Sequence, residues 1–322
     1  MNQGKETILV TGGAGFIGSH LSKKLMDLGY QIVIVDNFNS YYDPSLKERR
    51  ISELLKGYNF KLYREDIKNA RALRKIFLEN KIDKICHLAA QAGVRYSLID
   101  PFIYEESNVR GTLNLLELAR EFRIKGFIFA SSSSVYGASK KIPFKESDPI
   151  DKPISVYAAT KKAGEALVFS YHHLYKISAT VLRFFSVYGP FWRPDLALCK
   201  FATLIHNDKP IEVYNFGKMQ RDFTYIDDIV NGIVVAVKKN YPWGIFNLGR
   251  GKAVQLTKFI TLIEKEMGKK ASKKMLPMQP GDIGKVWSDI SSAKKKLNYR
   301  PKTGIAGGVK KTIDWYKDYL KI

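Results

Sequence analysis

Short apolar runs rich in β-branched residues recur along the first half of the chain, and stretches of helical period separate them. The runs fall at Thr7–Thr11, Gln31–Asp36, Phe60–Tyr63, Lys84–Leu88, Phe127–Ala130 and Ala179–Leu182. Most are apolar at consecutive rather than alternate positions, which predicts strands buried on both faces of a parallel sheet. Amphipathic periods fill the intervals at Gly15–Leu28, about Ser45–Leu55, Ala70–Glu79, Tyr104–Glu121 and Val156–Tyr175. This alternation implies right-handed crossovers and a doubly wound α/β sheet.

Beyond about Arg183 the rhythm changes. Gly, Pro and aromatic residues cluster in Tyr188–Pro194, and helical periods return only in shorter pieces: Ala197–Asn207, Ile226–Lys238, Thr257–Met267 and a last one from Ala306. The expectation is a sheet domain over residues 1–183 and a smaller mixed α/β lobe over 184–322, with a cleft between them. The chain is free to cross between the two.

Gly12-Gly13-Ala14-Gly15-Phe16-Ile17-Gly18 sits where the first strand meets the first helix. Glycines at 12, 15 and 18 permit a tight turn, close backbone approach to a pyrophosphate and close helix–strand packing. The helix N-terminus adds free N–H groups and a positive dipole. The order strand, glycine trio, helix predicts a Rossmann dinucleotide site. Asp36 ends the second strand, where a carboxylate can accept both ribose hydroxyls, favouring NAD over NADP. Asp66 and Ile67, the segment Leu88-Ala89-Ala90, and Asn108 on the following helix fall at the same rim. Asp66 could meet the adenine amino group, although each of these residues taken singly is as readily a turn or capping feature.

Tyr157 and Lys161 stand at i and i+4 on one helix face. A neighbouring ammonium favours phenolate, so Tyr157 is a candidate proton acceptor and Lys161 its partner. Upstream, the fifth run leads into Ser131-Ser132-Ser133-Ser134-Val135-Tyr136-Gly137, a hydroxyl-rich turn at the active rim. Serine runs and YxxxK patterns are common alone. Their order behind a dinucleotide turn makes the joint pattern specific.

These residues resemble the extended short-chain dehydrogenase/reductase family over nearly the whole chain, and within it the UDP-glucuronate 4-epimerases. The narrower likeness rests on Asp36-Asn37-Phe38-Asn39 with Tyr41-Tyr42-Asp43, on Ala89 through Ser97, on Arg183 through Pro190, and on Gly217 through Asp228. The resemblance implies catalysis by Ser132, Tyr157 and Lys161. It extends the NAD contacts to Asn37, Asn39, Gln91 and Phe184, with Tyr157 and Lys161 also touching the cofactor. Arg95, Arg193 and Arg221 would meet carboxylate or diphosphate, since guanidinium forks suit such anions. Lys200, Phe201, Val213, Tyr214 and Asn215 would line a uridine pocket, and Asp282 would contact a ribose. Asp227-Asp228 would cap the next helix. Ser132 and Ser186 stand where these epimerases often carry threonine, and both keep the hydroxyl.

The implied reaction oxidises the 4-hydroxyl of a UDP-sugar and returns the hydride to the other face of a 4-keto intermediate. With UDP-glucuronate that intermediate is a β-keto acid, so a carboxylate grip is needed. Ser186, with Ser133 or Ser134 and Arg193, is the candidate. A UDP-glucose or UDP-N-acetylglucosamine 4-epimerase shares the opening step, as does a UDP-glucuronate decarboxylase. The family also implies a homodimer through the helices at Tyr104–Glu121 and Val156–Tyr175.

Composition adds one unusual number, a formal net charge of +22. The basic residues are scattered, and the Lys runs at Lys269–Lys274 and Lys294–Lys296 lack interleaved aromatics. A solvated surface, steering of an anionic substrate and an RNA- or nucleotide-sensing module all fit the charge alone. The intact catalytic set favours an enzyme. The two cysteines, Cys86 and Cys199, match no metal spacing, and no metal is expected. The polar start and the lack of a long apolar run argue for a cytoplasmic protein without a membrane span.

Overall fold

A computed structural model describes residues 6–279 and 282–321. Six strands come first in chain order: β1 (Thr7–Thr11), β2 (Gln31–Val35), β3 (Lys61–Tyr63), β4 (Lys84–His87), β5 (Gly126–Ser132) and β6 (Ala179–Phe184). They lie within a seven-stranded sheet ordered Trp243–Leu248, β6, β5, β4, β1, β2, β3. The pairings of β1 with β2 and β4, of β2 with β3 and of β4 with β5 are parallel. Winding reverses between β1 and β4, so the loops after these two strands diverge and open a crevice at their carboxyl ends.

Local chemistry sets the helix limits. α1 spans Phe16–Asp27, α2 Ser45–Arg49 and α3 Ala70–Glu79. Asn69 caps α3 by accepting from Ala72 N at 3.2 Å, and the helix lays Leu73, Ile76 and Phe77 on the sheet. α4 (Phe102–Tyr104) runs through a π-wound stretch, Glu105–Arg110, into α5 (Gly111–Glu121). α6 is Val156–Tyr175, capped by Ser155 Oγ accepting from Ala158 N at 3.1 Å. These six strands and the main helices match the sequence pattern to within two residues, except that Ser45–Leu55 and Tyr104–Glu121 contain π-wound segments.

The seventh strand, Trp243–Leu248, is a correction. Its burial is uneven, with three half-exposed residues before three buried ones, so it lacks the continuous apolar run that marked the others.

The chain forms two units: one of Met1–Gly137, Pro149–Arg183 and Val230–Phe246, the other of Ala138–Asp148, Phe184–Ile229 and Asn247–Ile322. The second unit contains short strands that its sequence did not announce. Ser186–Tyr188 pairs with Phe223–Tyr225, Ile211–Tyr214 with Lys273–Leu276, and Gln220–Arg221 with both Val254–Gln255 and Lys285–Val286. Pairs of two to four residues are too short to display a period. Asp222, between Gln220–Arg221 and Phe223–Tyr225, ties these two strands to more distant turns: its buried carboxylate accepts from the backbone N–H groups of Arg250, Gly251 and Ser288 and from Ser288 Oγ. Asp228 does not cap its helix, as the sequence suggested. It accepts from Lys302 N at 2.8 Å and Thr303 N at 3.0 Å and fixes the entry to the last helix, Ile305–Leu320.

Both cysteines are buried, and neither is in a disulfide. Among the described residues no helix is long and apolar enough to cross a membrane, and no metal-holding cluster forms.

His87 illustrates how the sheet handles buried polarity. Thr112 Oγ1 donates to Asn108 O at 2.6 Å, so it must accept from His87 Nε2 at 2.9 Å. His87 Nδ1 then accepts from Thr11 Oγ1 at 2.8 Å, while Thr11 Oγ1 accepts from Ala89 N. The ring is neutral, and burial, then the Lys161 charge, push its pKa down from 6.5 to about 3. An unfolded chain takes up this proton near pH 6.5 and the folded one only near 3, so stability falls as pH drops through that window. Melting temperature should therefore fall less steeply between pH 6.5 and 4 in His87→Gln than in the wild type, whatever the variant's stability at pH 7. Parallel slopes would remove His87 from the acid response.

Candidate active site

The glycine turn is forced by contact with two strands. Gly12 has φ +67° and donates to Val35 O at 2.7 Å. A Cβ there would lie 2.8 Å from Ala89 N, and one at Gly18 would strike the Gly12 carbonyl. Gly15 begins α1 with no side-chain cap among the described residues. The first-turn N–H groups are thus available to an anion, beside the crevice between β1 and β4. Phe16 is buried and Ile17 half-buried in this turn.

Asp36 follows β2 and is 5% exposed. It accepts from Ala14 N at 3.2 Å, Phe38 N at 2.9 Å and Lys47 Nζ at 3.1 Å. Asn39 Oδ1 accepts a second bond from Lys47, and Asn37 Nδ2 donates to Asp66 Oδ2 at 3.0 Å. Asp66 also accepts from Lys68 N at 2.8 Å and so organises its own turn. Ile67 is buried beneath Gly111, where a Cβ would crowd it at 2.5 Å. Past β4, Leu88, Ala89 and Ala90 are half-buried and lead to buried Gln91. Asn108, in the π-wound stretch, accepts from Gln91 N at 2.8 Å and donates to Gln91 O and Thr160 Oγ1 at 3.0 Å each. Gln91 Nε2 is buried without a hydrogen-bond acceptor among the described residues.

Thr160 extends this network by donating to Tyr157 O at 3.0 Å. The Tyr157 ring meets Tyr104 edge-on at 6.0 Å, and the Tyr104 hydroxyl is fixed on the carbonyls of Ala92 and Gly93. One turn on, Lys161 is 5% exposed and donates to Ala130 O at 2.9 Å. Burial lowers its pKa to about 8, while the Glu165 charge pulls the other way. Ser132 Oγ accepts from Ser134 N at 3.2 Å and Ser134 Oγ at 3.0 Å. Its own proton finds no acceptor among the described residues and can serve a ligand. Ser133 is half-buried beside it.

Sequence reasoning missed what lies below this face. Glu165, the next i+4 position, accepts from Ser131 Oγ at 2.5 Å. It also takes both forks of Arg183, at 2.9 and 2.7 Å, while Arg183 donates to the Tyr136 hydroxyl at 3.0 Å. The spacing from Lys161 was the available clue. Lys47, Arg50 and Arg183 gave none, because a lone basic residue reads as a solvated one.

In the second unit, Arg221 donates to the carbonyls of Gln220 and Gly284 at 3.0 and 3.4 Å. Burial lowers its pKa against the opposing pull of Asp282, and no ion pair forms with it among the described residues. Asp282 is half-buried, and its neighbours Pro280 and Gly281 lie outside the described residues. Arg193 is held by Asp195 at 2.5 and 3.0 Å. Ser186 is half-buried, its N–H on Asp222 O. Lys200 is exposed, while Phe201 and Val213 are core residues at 7% and 0% exposure. Tyr214 donates to Glu212 at 2.6 Å, Asn215 is half-buried and Phe184 is buried. In the first unit, Arg95 is exposed.

The GDP-mannose 4,6 dehydratase family matches residues 9–312. An uncharacterized protein of Methanocaldococcus jannaschii is 52% identical over 322 residues, spanning 98% of each chain. The UDP-glucuronate 4-epimerase of Thermodesulfobacterium geofontis is 45% identical over 317 residues, 98% of this chain and 97% of its own. Among solved structures, UDP-glucuronic acid 4-epimerase from Bacillus cereus in complex with UDP-glucuronic acid and NAD aligns with a TM-score of 0.89. It is 37% identical and covers 97% of this chain and 99% of its own.

Removing the Glu165 charge strands Arg183 in the interior, a change that typically costs about 3–5 kcal/mol. Glu165→Gln should lower the unfolding free energy obtained from urea denaturation by that amount with the m-value unchanged, measured by circular dichroism. A loss below about 1 kcal/mol would mean that the pair behaves like a surface bridge.

Proposed function

The chain belongs to the GDP-mannose 4,6 dehydratase family of extended short-chain dehydrogenases/reductases, and on that footing we propose that it is an NAD-dependent epimerase converting UDP-glucuronate to UDP-galacturonate. The observation that carries the reading is the Tyr157–Lys161 face beside a hydroxyl with a free proton, kept in a chain alike end to end to a UDP-glucuronate 4-epimerase.

The first unit fits NAD on its own residues. A Cβ would close the space at Gly12, α1 offers uncapped N–H groups, and Gln91 Nε2 lacks an acceptor. Gly12, Gly15 and Gly18 would hold the pyrophosphate, and Asp36 the adenosine ribose. Bound there, NAD supplies a hydride acceptor that is restored within the same cycle.

Tyr157 takes the proton of the sugar 4-hydroxyl, and its carbonyl is anchored through Thr160 and Asn108. The Lys161 ammonium favours the phenolate, and Ser132 directs its free proton to the reacting oxygen. As the 4-keto sugar turns over, Tyr157 returns the proton. Arg221, with no ion pair among the described residues, suits the diphosphate. Ser186 is assigned to the carboxylate, which it must hold out of line with the ketone π system to prevent loss of carbon dioxide. Exposed Phe102, Leu113 and Phe169 on α4, α5 and α6 support a homodimer. Two buried thiols outside any disulfide suit a reducing compartment, so the cytoplasm is the assigned location.

Three outcomes follow. Tyr157→Phe should lower kcat by a factor of about 10² or more while NAD binding, read by fluorescence, persists. Lys161→Met should move the acid limb of the pH–rate profile upward, because the phenol loses the charge that favours its ionisation. An unmoved limb would detach Lys161 from the base. Ser186→Ala should release UDP-pentose beside UDP-galacturonate. If chromatography of products from a UDP-sugar panel shows clean epimerisation of UDP-glucuronate in this variant, the clamp lies elsewhere. If only uncharged UDP-sugars react in the wild type, the substrate assignment fails.

A further inference from the structure

The segment after β2 carries more positive charge than a ribose-binding carboxylate requires. The Lys47 side chain is 7% exposed, and its Nζ lies 3.1 Å from Asp36 Oδ1 and 3.3 Å from Asn39 Oδ1. Arg50, 1% exposed, donates to Ala14 O at 3.2 Å and to the Tyr42 hydroxyl at 2.8 Å. Both cations lie over the Tyr42 ring, at 5.6 and 5.4 Å from its centroid. Arg64 stacks on Phe38 nearby, with its own forks on exposed Glu48. The buried Asp36 carboxylate thus meets one buried ammonium, and a second buried cation shares the Tyr42 ring with it. A buried lysine keeps its full charge best when paired, and Asp36 is the one partner that closes an ion pair with Lys47 among the described residues.

This bears on the proposed NAD site, on which the inference rests. If Asp36 receives the ribose hydroxyls, a group in place of the 2′-hydroxyl stands beside the ammonium that touches the same carboxylate. We propose that Lys47 determines cofactor specificity as a latent receptor for a ribose 2′-phosphate. Paired with Asp36 it is held from the ligand and screens the carboxylate. With Asp36 neutralised, it pairs with the phosphate monoester instead. Asp36 therefore excludes NADP by occupying Lys47 as well as by repulsion. Were Lys47 only a counter-ion for a buried acid, neutralising Asp36 would strand it, and a phosphate would gain no more than relief of repulsion, independent of Lys47.

Titration calorimetry distinguishes these cases without turnover. The ligands are NAD, NADP and the pair 5′-ADP and 2′,5′-ADP. The proteins are the wild type, Asp36→Asn, Lys47→Met and the double variant, each checked for folding by thermal melting. Asp36→Asn should bind NADP and 2′,5′-ADP at least about tenfold more tightly than the wild type does, and adding Lys47→Met should remove most of that gain, leaving only the part that comes from relieved repulsion. Lys47→Met alone should widen the preference for NAD over NADP, because the carboxylate is then unscreened. This second arm holds even if Asp36→Asn does not fold. A gain undiminished in the double variant, no gain in Asp36→Asn, or an unchanged preference in Lys47→Met would overturn the proposal. A wild type that binds neither NAD nor 5′-ADP would instead remove the cofactor site on which it rests.

Discussion

Glu165 joins three elements through one buried carboxylate. On α6 it lies one turn beyond Lys161, it accepts from Ser131 at the end of β5, and it grips Arg183 at the end of β6. Lys161 and Arg183 are both buried cations, and a low-dielectric interior does not hold two such charges together without an anion. Glu165 therefore does two jobs. It keeps Lys161 closer to its protonated form than burial alone would allow, and it fixes the strand that presents Ser132 against the helix that presents Tyr157. The chemistry assigned to the first unit depends on that registration.

The same logic recurs along the rim of the sheet, where hydrogen-bond chains rather than apolar contacts set positions. From Thr11 through His87 and Thr112 to Asn108, and on through Thr160 to the Tyr157 carbonyl, each donor has a defined acceptor. The π-wound stretch at Glu105–Arg110 accommodates Asn108 within this chain, as such stretches often do at functional sites. The end of β1, the segment past β4 and the tyrosine helix are thus coupled. A buried network of this kind is rigid when fully satisfied, which suits a site that must let a sugar turn over while its base stays fixed.

Much of this was legible in the sequence. Continuous apolar runs gave the inner strands, and helical periods gave α3 and α6 with the bounds the structure shows. The glycine turn and the Tyr157–Lys161 spacing carry their chemistry in short range. Trp243–Leu248 did not show itself, because half its residues are only partly buried and its place in the sheet depends on a chain return from far away. The strands of the second unit are too short to show a period. Buried charge was the least legible feature. Lys47, Arg50, Glu165 and Arg183 read as solvated positions until partners from other elements are in view, and Asp228 looked like a cap until its bonds to Lys302 and Thr303 appeared.

At the centre of the account is one catalytic cycle in which a hydride leaves C4 of the sugar and returns to the opposite face without leaving the site. Incubating NAD-loaded protein with UDP-glucuronate deuterated at C4 tests this directly, with the product analysed by NMR and the nicotinamide by absorbance. The account predicts UDP-galacturonate that keeps its deuterium at C4, with no net reduction of the cofactor. Loss of the label to solvent, or stoichiometric accumulation of reduced cofactor with a keto or pentose product, would contradict it.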